Sequence, residues 1–283
     1  MPLAIPGPAD LHLHSERSDG TESPERVVEV AREAGLGTIA LTDHETTSGW
    51  DEAATAARRL GMGFLPGAEI SAEHAWTGVH VLAYLFDPDD ANLSALMRRI
   101  RDDRVGRAER LVANLARDYP ITWDDVSAQR AGDATVGRPH IADALVAAGV
   151  VSDRGEAFAD LLHFRSPYYE RHYTPEPILA VQLIAAAGGV PIIAHPAGRG
   201  RLDDGEIRRL IDAGLAGFEL GHRENRPDGV ARLRRFVDAH DLVVTGSSDY
   251  HGAGKPNRPG ENTTDLEMVE RIIARASGTD PIL

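Results

Sequence analysis

Residues 9–20 read ADLHLHSERSDG, and fold and chemistry both start from this stretch. Ala9 to Leu13 is a short apolar run that predicts a strand. His12 and His14 lie two positions apart, and side chains at that spacing on a strand face the same side. Such a pair can put two imidazoles on one metal ion. Asp19 follows in the loop, just before Gly20.

Working outward, short apolar runs alternate with capped helices. Ser23-Pro24 supplies an N-cap and a first-turn proline, and Gly35 stops that helix. A strand is expected over Thr38–Leu41 and a helix over about Trp50–Leu60. Strand-like runs recur at Gly63–Pro66, Val79–Leu85, Val190–Ala194, Gly217–Leu220 and Leu242–Thr245. This alternation predicts a mostly parallel α/β sheet or barrel. Between Leu93 and Tyr173 the rhythm breaks into an Arg-, Asp- and Ala-rich segment that reads as helices. The expected organisation is therefore a barrel from 1–92 and 174–283, with a helical insertion over 93–173 acting as a substrate cap. The Gly- and Pro-rich stretch from Gly252 to Asn262 reads as a surface turn region.

The 283 residues are enough for a sizeable core. With no cysteine, any metal must be held by histidine and carboxylate. The formal net charge of -14 argues against a stable complex along a nucleic-acid backbone, though a small nucleotide or short strand in a locally basic pocket is compatible with it. No apolar stretch approaches the ~20 residues needed to span a bilayer. The N-terminus lacks a basic, apolar leader. The expectation is a cytoplasmic protein without membrane contact, and the sequence assigns no oligomeric state.

Five histidines fall at or just beyond predicted strand ends: His12, His14, His44, His195 and His251. Glu69, Asp249 and Asp19 occupy matching places. One histidine at a strand end is more often structural, but packing gives no reason for the joint pattern. In barrel enzymes functional groups gather at the C-terminal strand ends, so these residues are expected to share one site. A carboxylate can bridge two cations, and paired metals suit phosphoryl chemistry. Imidazole and carboxylate without sulfur suit Zn, Mn or Fe.

Asp10-Leu11-His12-Leu13-His14-Ser15 with Ser18-Asp19-Gly20 resembles the first motif of the PHP (polymerase and histidinol phosphatase) family. Thr42-Asp43-His44 resembles its second. Gly67-Ala68-Glu69 with His80-Val81-Leu82-Ala83-Tyr84 resembles the third. Ala194-His195-Pro196 and Ser248-Asp249-Tyr250-His251-Gly252 resemble the last two. The resemblance implies a distorted (β/α)7 barrel with two or three divalent metal ions. It implies a first position of His12, His14, Glu69 and Asp249, a second of Glu69, His80 and His195, and a third of Asp19, His44 and His251. His80 enters on the resemblance alone, because it begins its strand run rather than ending it.

Gly137-Arg138-Pro139-His140-Ile141-Ala142 resembles a stretch of the stand-alone phosphoesterases of the family. These include phosphatases of 3',5'-nucleotide bisphosphates and 5'-3' exonucleases on short RNA. The resemblance thus implies a metal-dependent phosphoric ester hydrolase acting through a metal-bridging hydroxide. The first reading is a 3',5'-nucleotide bisphosphate phosphatase, with a 5'-3' exonuclease and a histidinol phosphate phosphatase as alternatives. A hydrolase of C–N bonds with a carboxylated lysine fits poorly, since Lys255 is the only lysine and lies in the Gly/Pro stretch. A non-catalytic metal-binding protein is the reading of another class.

Arginine contacts phosphate bidentately. Arg138, Arg165 and Arg199, with His140, are the candidate substrate contacts. Arg138 is also a candidate catalytic group. His222 follows a strand run and could contact substrate or give a proton to the leaving group. Asp43 could orient a neighbouring imidazole or be a solvent-facing acid. Trp50, Trp76 and Trp123 could stack a base, with core burial the plainer expectation. His74, His163, His172 and His240 read as structural or exposed.

Overall fold

The computed structural model describes residues 4–130, 136–171, 173–198 and 202–283. Seven strands form one sheet in sequential order: β1 (Ala9–Leu13), β2 (Thr38–Leu41), β3 (Gly63–His74), β4 (Thr77–Tyr84), β5 (Val190–Ile193), β6 (Gly217–Gly221) and β7 (Val243–Gly246). Just past β7, Tyr250 bridges Leu13 in parallel, and its carbonyl accepts the His14 N–H at 2.8 Å. The sheet therefore curls into a nearly closed barrel, with the histidine motifs at the seam.

Four strand pairings are parallel, and β4 runs antiparallel to both β3 and β5. Here the structure departs from the sequence-based expectation. β3 does not stop at Pro66; it continues to His74 because β4 pairs with residues 67–74. The reversal also carries the start of β4 to the barrel end where the parallel strands finish.

Ten helices complete the chain: α1 (Pro24–Glu33), α2 (Trp50–Leu60), α3 (Ala91–Leu115), α4 (Trp123–Ser127), α5 (Arg138–Ala147), α6 (Arg154–Asp160), α7 (Pro177–Ala186), α8 (Asp204–Asp212), α9 (Pro227–His240) and α10 (Leu266–Arg275), counted among the described residues. α1 begins at Ser23, whose side chain accepts the Arg26 N–H, and Pro24 occupies the first turn.

Burial divides along α3. Leu93, Leu96, Met97 and Ile100 join the apolar cluster between the sheet and α7, α8 and α9. Ala108, Leu111, Val112 and Leu115 join a different cluster, built with Ile141, Leu145, Ala157 and Leu162 of the helical segment. One long helix thus roots the segment in the barrel and seeds its separate core. A third cluster links strand residues such as Leu11, Leu65, Leu82 and Ile192 to Val269 and Ile272 of α10. None of the helices is long and apolar enough to cross a membrane.

Candidate metal centre

His12 and His14 leave β1 on one face, as their spacing requires, and both are fully buried. Their Nε2 atoms lie 3.0 Å apart. Glu69 Oε2 lies 3.3 Å from the first and 3.1 Å from the second, and Asp249 Oδ1 lies 3.5 Å from each. Donors held ~2.1 Å from one ion sit ~3.0 Å apart at right angles and ~3.4 Å apart at tetrahedral angles. The four atoms therefore fit around a single divalent cation.

The other motif residues converge on the same place. Glu69 Oε1 lies 2.7 Å from His80 Nδ1 and 3.5 Å from His195 Nε2. Asp19 lies 3.2 Å from His251, 3.8 Å from His14 and 3.9 Å from His44. The nine residues fall into three groups of ligand-type atoms, each within 4.8 Å: His12, His14 and Asp249; Glu69, His80 and His195; and His14, Asp19, His44 and His251. His14 belongs to two of them. Three ring nitrogens, His14 Nδ1, His44 Nδ1 and His251 Nε2, are buried without a hydrogen-bond partner, as lone pairs reserved for a cation would be.

The backbone is bent to achieve this. His195 has φ 33° and Asp249 φ 57°, in the left-handed region that costs a residue with a β-carbon ~1–2 kcal/mol. Such strain persists only where the surroundings enforce it, and it collects at functional sites. Gly20 lets the loop after β1 fold back on itself, for a β-carbon there would lie 2.7 Å from the His14 carbonyl oxygen. The turn holds Asp19 beside His14, His44 and His251.

A second layer orients the ligands. Glu219 on β6 is fully buried; one oxygen accepts from His12 Nδ1 at 2.9 Å and the other from the His195 N–H at 2.8 Å. His251 Nδ1 donates to the Asp249 carbonyl at 2.9 Å, leaving Nε2 free toward Asp19. Asp43 is buried, not solvent-facing, and it bonds no imidazole among the described residues. It accepts from Ser15 N, Ser15 Oγ and Ser18 Oγ, so it shapes the loop that carries Asp19.

Charges sort the imidazoles into two kinds. Burial opposes the His12 cation, but Glu219, Glu69 and Asp249 outweigh it and hold its pKa well above the usual value. His80 is raised against burial by Glu69. Burial, then the neighbouring His251 charge, pushes His14 down to about 4. Burial also holds His44 well below the ordinary range. Burial pushes the Glu69 carboxyl up, yet His80, His12 and His44 together hold it far below the usual carboxylate range.

The predicted substrate contacts separate. His222 is buried at the cluster, with Nε2 3.7 Å from Asp249 Oδ2. Its Nδ1 accepts the Glu224 N–H, so the neutral ring carries its proton on Nε2, which has no hydrogen-bond partner. His140 is buried, with Asp19 among the charges acting on it. Arg138 is partly buried, donating to the Leu162 carbonyl over the Phe158 ring. Arg165 is instead exposed and lies over Phe164, because it sits on a surface turn after α6. Arg199 and His172 fall outside the described residues. Trp50 is half-buried and bonds the Gly67 carbonyl, and Trp123 is half-buried on the helical core. Trp76, against the core expectation, is 74% exposed under Arg171.

Four residues near the site escaped the sequence reading. Glu219 is one. Lys255 is another: the Gly252–Asn262 stretch lies largely at the surface, as expected, but it brings Lys255 Nζ to 2.7 Å from Asp249 Oδ2. Gly252, at φ 64°, makes that turn possible, since a β-carbon there would meet Thr21 Oγ1. Arg104 donates to Ser71 Oγ at 2.8 Å and pairs with Glu45 Oε2 at 2.6 Å, at the edge of the metal centre. Arg107, one turn further along α3, is 5% exposed and has no ion pair or hydrogen bond among the described residues. Its pKa is pushed down by burial and by the Arg138 and Arg104 charges. The spacing 101, 104, 107 puts three arginines along one strip of α3, a signal that helical periodicity could have supplied.

The PHP domain family matches residues 10–127. The 3',5'-nucleoside bisphosphate phosphatase of Chromobacterium violaceum is 35% identical over 279 residues, 94% of this chain and 95% of the relative. The 5'-3' exoribonuclease of Haemophilus influenzae is 34% identical over 270 residues, 93% of this chain and 96% of the relative. A crystal structure from Bifidobacterium adolescentis, assigned as a metal-dependent phosphoesterase, superposes with a TM-score of 0.92 at 43% identity, covering 98% of both chains. Relatives matched almost end to end and a histidine–carboxylate cluster built to hold cations lead to one conclusion: the chain belongs to the PHP family and is a metal-dependent phosphoesterase, a hydrolase of phosphate esters.

Proposed function

We propose that the substrate is a nucleoside 3',5'-bisphosphate, from which one phosphate is released. The observation that carries this is Arg107. A buried cation without a carboxylate is costly unless something pairs with it. Arg104 and Arg138 add like charge beside it. Arg104 already has Glu45, so an anion from outside the chain would relieve Arg107 and Arg138 in particular. A substrate with one phosphate needs only the metal centre; a second, cationic group of side chains suits a second phosphate. The end-to-end likeness to a bisphosphate phosphatase supports the same reading.

In this reading His12, His14, Glu69, Asp249, His80, His195, Asp19, His44 and His251 hold two or three divalent ions. Such ions, when bound, acidify water to a nucleophile near neutral pH and neutralise phosphoryl oxygens. The chain's own groups do the rest. Glu219 fixes the His12 ring. His222 Nε2 holds a proton at the cluster and gives it to the departing ester oxygen. Arg104, Arg107 and Arg138 bind the second phosphate and orient the nucleoside. The segment 93–173 closes over the 1–92 and 174–283 barrel as the cap.

The test compares a 3',5'-bisphosphate, a nucleoside monophosphate and a 5'-phosphorylated short RNA as substrates for wild type and Arg107→Met. A charge-assisted hydrogen bond is worth ~1.5–3 kcal/mol, or ~10–100-fold. Arg107→Met should raise KM for the bisphosphate by that factor and leave a simple aryl phosphate unchanged. Preference for the RNA, with stepwise release of mononucleotides, would instead assign the exonuclease activity of the Haemophilus relative.

A further inference from the structure

A second cluster of ligand-type side chains lies away from the barrel mouth. β3 ends at His74, which pairs with Thr77 across a two-residue turn. Both turn residues, Ala75 and Trp76, are left-handed, with φ 46° and 70°. That is the backbone of a tight hairpin normally given to glycine or asparagine. The chain therefore accepts strain to hold the hairpin tip, and His74 with it, in one place.

Two other segments bring carboxylates to this tip. Glu176 caps the start of α7 without using its side chain as a cap, and its Oε2 lies 2.8 Å from His74 Nδ1. The backbone beside it is tied down, since the Glu73 N–H donates to the Pro175 carbonyl at 2.9 Å. Glu206 stands in the first turn of α8, fixed there by Asp203, whose side chain accepts the Glu206 N–H. Glu206 is 3% exposed. One of its oxygens accepts from Arg209 at 2.8 Å. The other, Oε1, points at His74 Nδ1 from 3.7 Å and has no hydrogen-bond partner. A buried carboxylate oxygen left unpaired is expensive. All three side chains offer ligand atoms within 4.8 Å of one another.

We propose that His74, Glu176 and Glu206 bind a divalent transition-metal cation of the zinc class, at a structural site separate from the barrel-mouth centre. One imidazole and two carboxylates suit zinc, manganese or iron. Calcium asks for six to eight oxygens, which this set does not supply. The cation replaces the proton between His74 and Glu176 and satisfies the orphan oxygen of Glu206. Water completes its coordination on the open side, where the Glu176 side chain is 63% exposed. His74 lies five residues beyond Glu69 on the same strand, ~16 Å at ~3.3 Å per residue, so the two sites do not share ligands. The bound ion joins the hairpin tip to α7 and α8. α7 is the element through which the chain re-enters the barrel after the helical segment, so the ion clamps that return.

The test uses the full chain, stripped with chelator, reloaded with zinc and dialysed. Metal per chain is counted in wild type, Glu206→Gln and Glu176→Gln. Each variant should hold one ion fewer than wild type, keep its phosphoesterase kcat after reloading, and lose the part of the zinc-dependent rise in Tm that this site contributes. Should Glu206→Gln fail to fold, the exposed Glu176→Gln and His74→Asn carry the comparison. In zinc-soaked crystals, anomalous scattering at the zinc edge should show a peak ~2.0–2.2 Å from ligand atoms of the three residues. Equal metal counts in wild type and the folded variants, or no peak there while the barrel-mouth peaks are present, overturns the site.

Discussion

His12 Nδ1 and Glu219 Oε1 lie 2.9 Å apart with no solvent on either side chain. The bond fixes the ring so that Nε2 faces His14, Glu69 and Asp249. The other Glu219 oxygen holds the His195 N–H, so one carboxylate braces residues from two of the three ligand-type groups. Glutamine cannot do both, since its NH2 would face one of the two donors. Partners of this kind are worth ~10–100-fold in metal affinity. Glu219→Gln should therefore weaken manganese binding by about that factor in calorimetric titration while far-UV circular dichroism stays unchanged. An unaltered affinity would show that His12 needs no brace.

Metal removal should abolish turnover. Chelator-treated protein is expected to be inactive on an aryl phosphate or diester and to recover with added Mn, Fe or Zn. His195→Ala tests one ligand in particular. Alanine keeps a β-carbon, so the strain at φ 33° is unchanged and the fold should persist. The expected loss in kcat exceeds ~100-fold, since a ligand should matter more than its brace. An active variant would remove His195 from the site.

Metal uptake should release protons. In the metal-free chain the carboxylates around His12 and His80 raise both pKa values, so the empty site favours their protonated forms. His14 and His44 have lowered values and are already neutral. A cation must displace the first pair and needs nothing from the second. Affinity should thus climb with pH, by ~1 log unit per pH unit for each displaced proton, and level off above the raised His12 pKa. The sign for stability follows from the same shifts. The His12 proton stabilises the metal-free fold fully below ~pH 6.5, and this is lost as pH rises through its folded value. Calorimetry in buffers of different ionisation enthalpy counts the protons; a flat pH profile would contradict the assignment.

The strand ends were legible because each parallel strand delivers its ligand by the same rule, which found His44, His195 and Asp249. His80 broke that rule. It lies within β4, ahead of the apolar run that marks the strand in the sequence, and the reversal of β4 between β3 and β5 brings it to the ligand end. No local pattern announces a reversal, since an apolar run reads alike in both directions. Glu219 was hidden differently. It sits inside a run whose neighbours are core residues, and its role depends on His12, 207 positions away. The Lys255 contact was missed because nothing in a Gly- and Pro-rich surface stretch says which side chain turns back to a carboxylate. The arginines of α3 went unread, and helical spacing could have shown a strip but not a pocket, because it does not say what lies opposite.

Arg107 gives the last prediction a definite sign. Substituting a charge that serves the fold should destabilise the protein. Arg107 is buried beside Arg104 and Arg138 and has no carboxylate of its own among the described residues, so its charge opposes folding. Replacing even a buried ion pair by apolar side chains of similar volume is often neutral or stabilising by ~1–4 kcal/mol, and Arg107 has no partner to lose among the described residues. Methionine fills the space of the arginine stem without the charge. Arg107→Met should therefore raise Tm by a few degrees in the ligand-free protein, on the order of ~2–4 °C per kcal/mol for a chain of this size. A nucleoside bisphosphate should raise the wild-type Tm and leave that of the variant nearly unmoved, because the lost guanidinium is what the second phosphate would pair with. Thermal unfolding with and without the ligand measures both shifts. A variant that melts below wild type would mean that Arg107 is held by the fold for its own stability, and the anion pocket would have to be sought elsewhere.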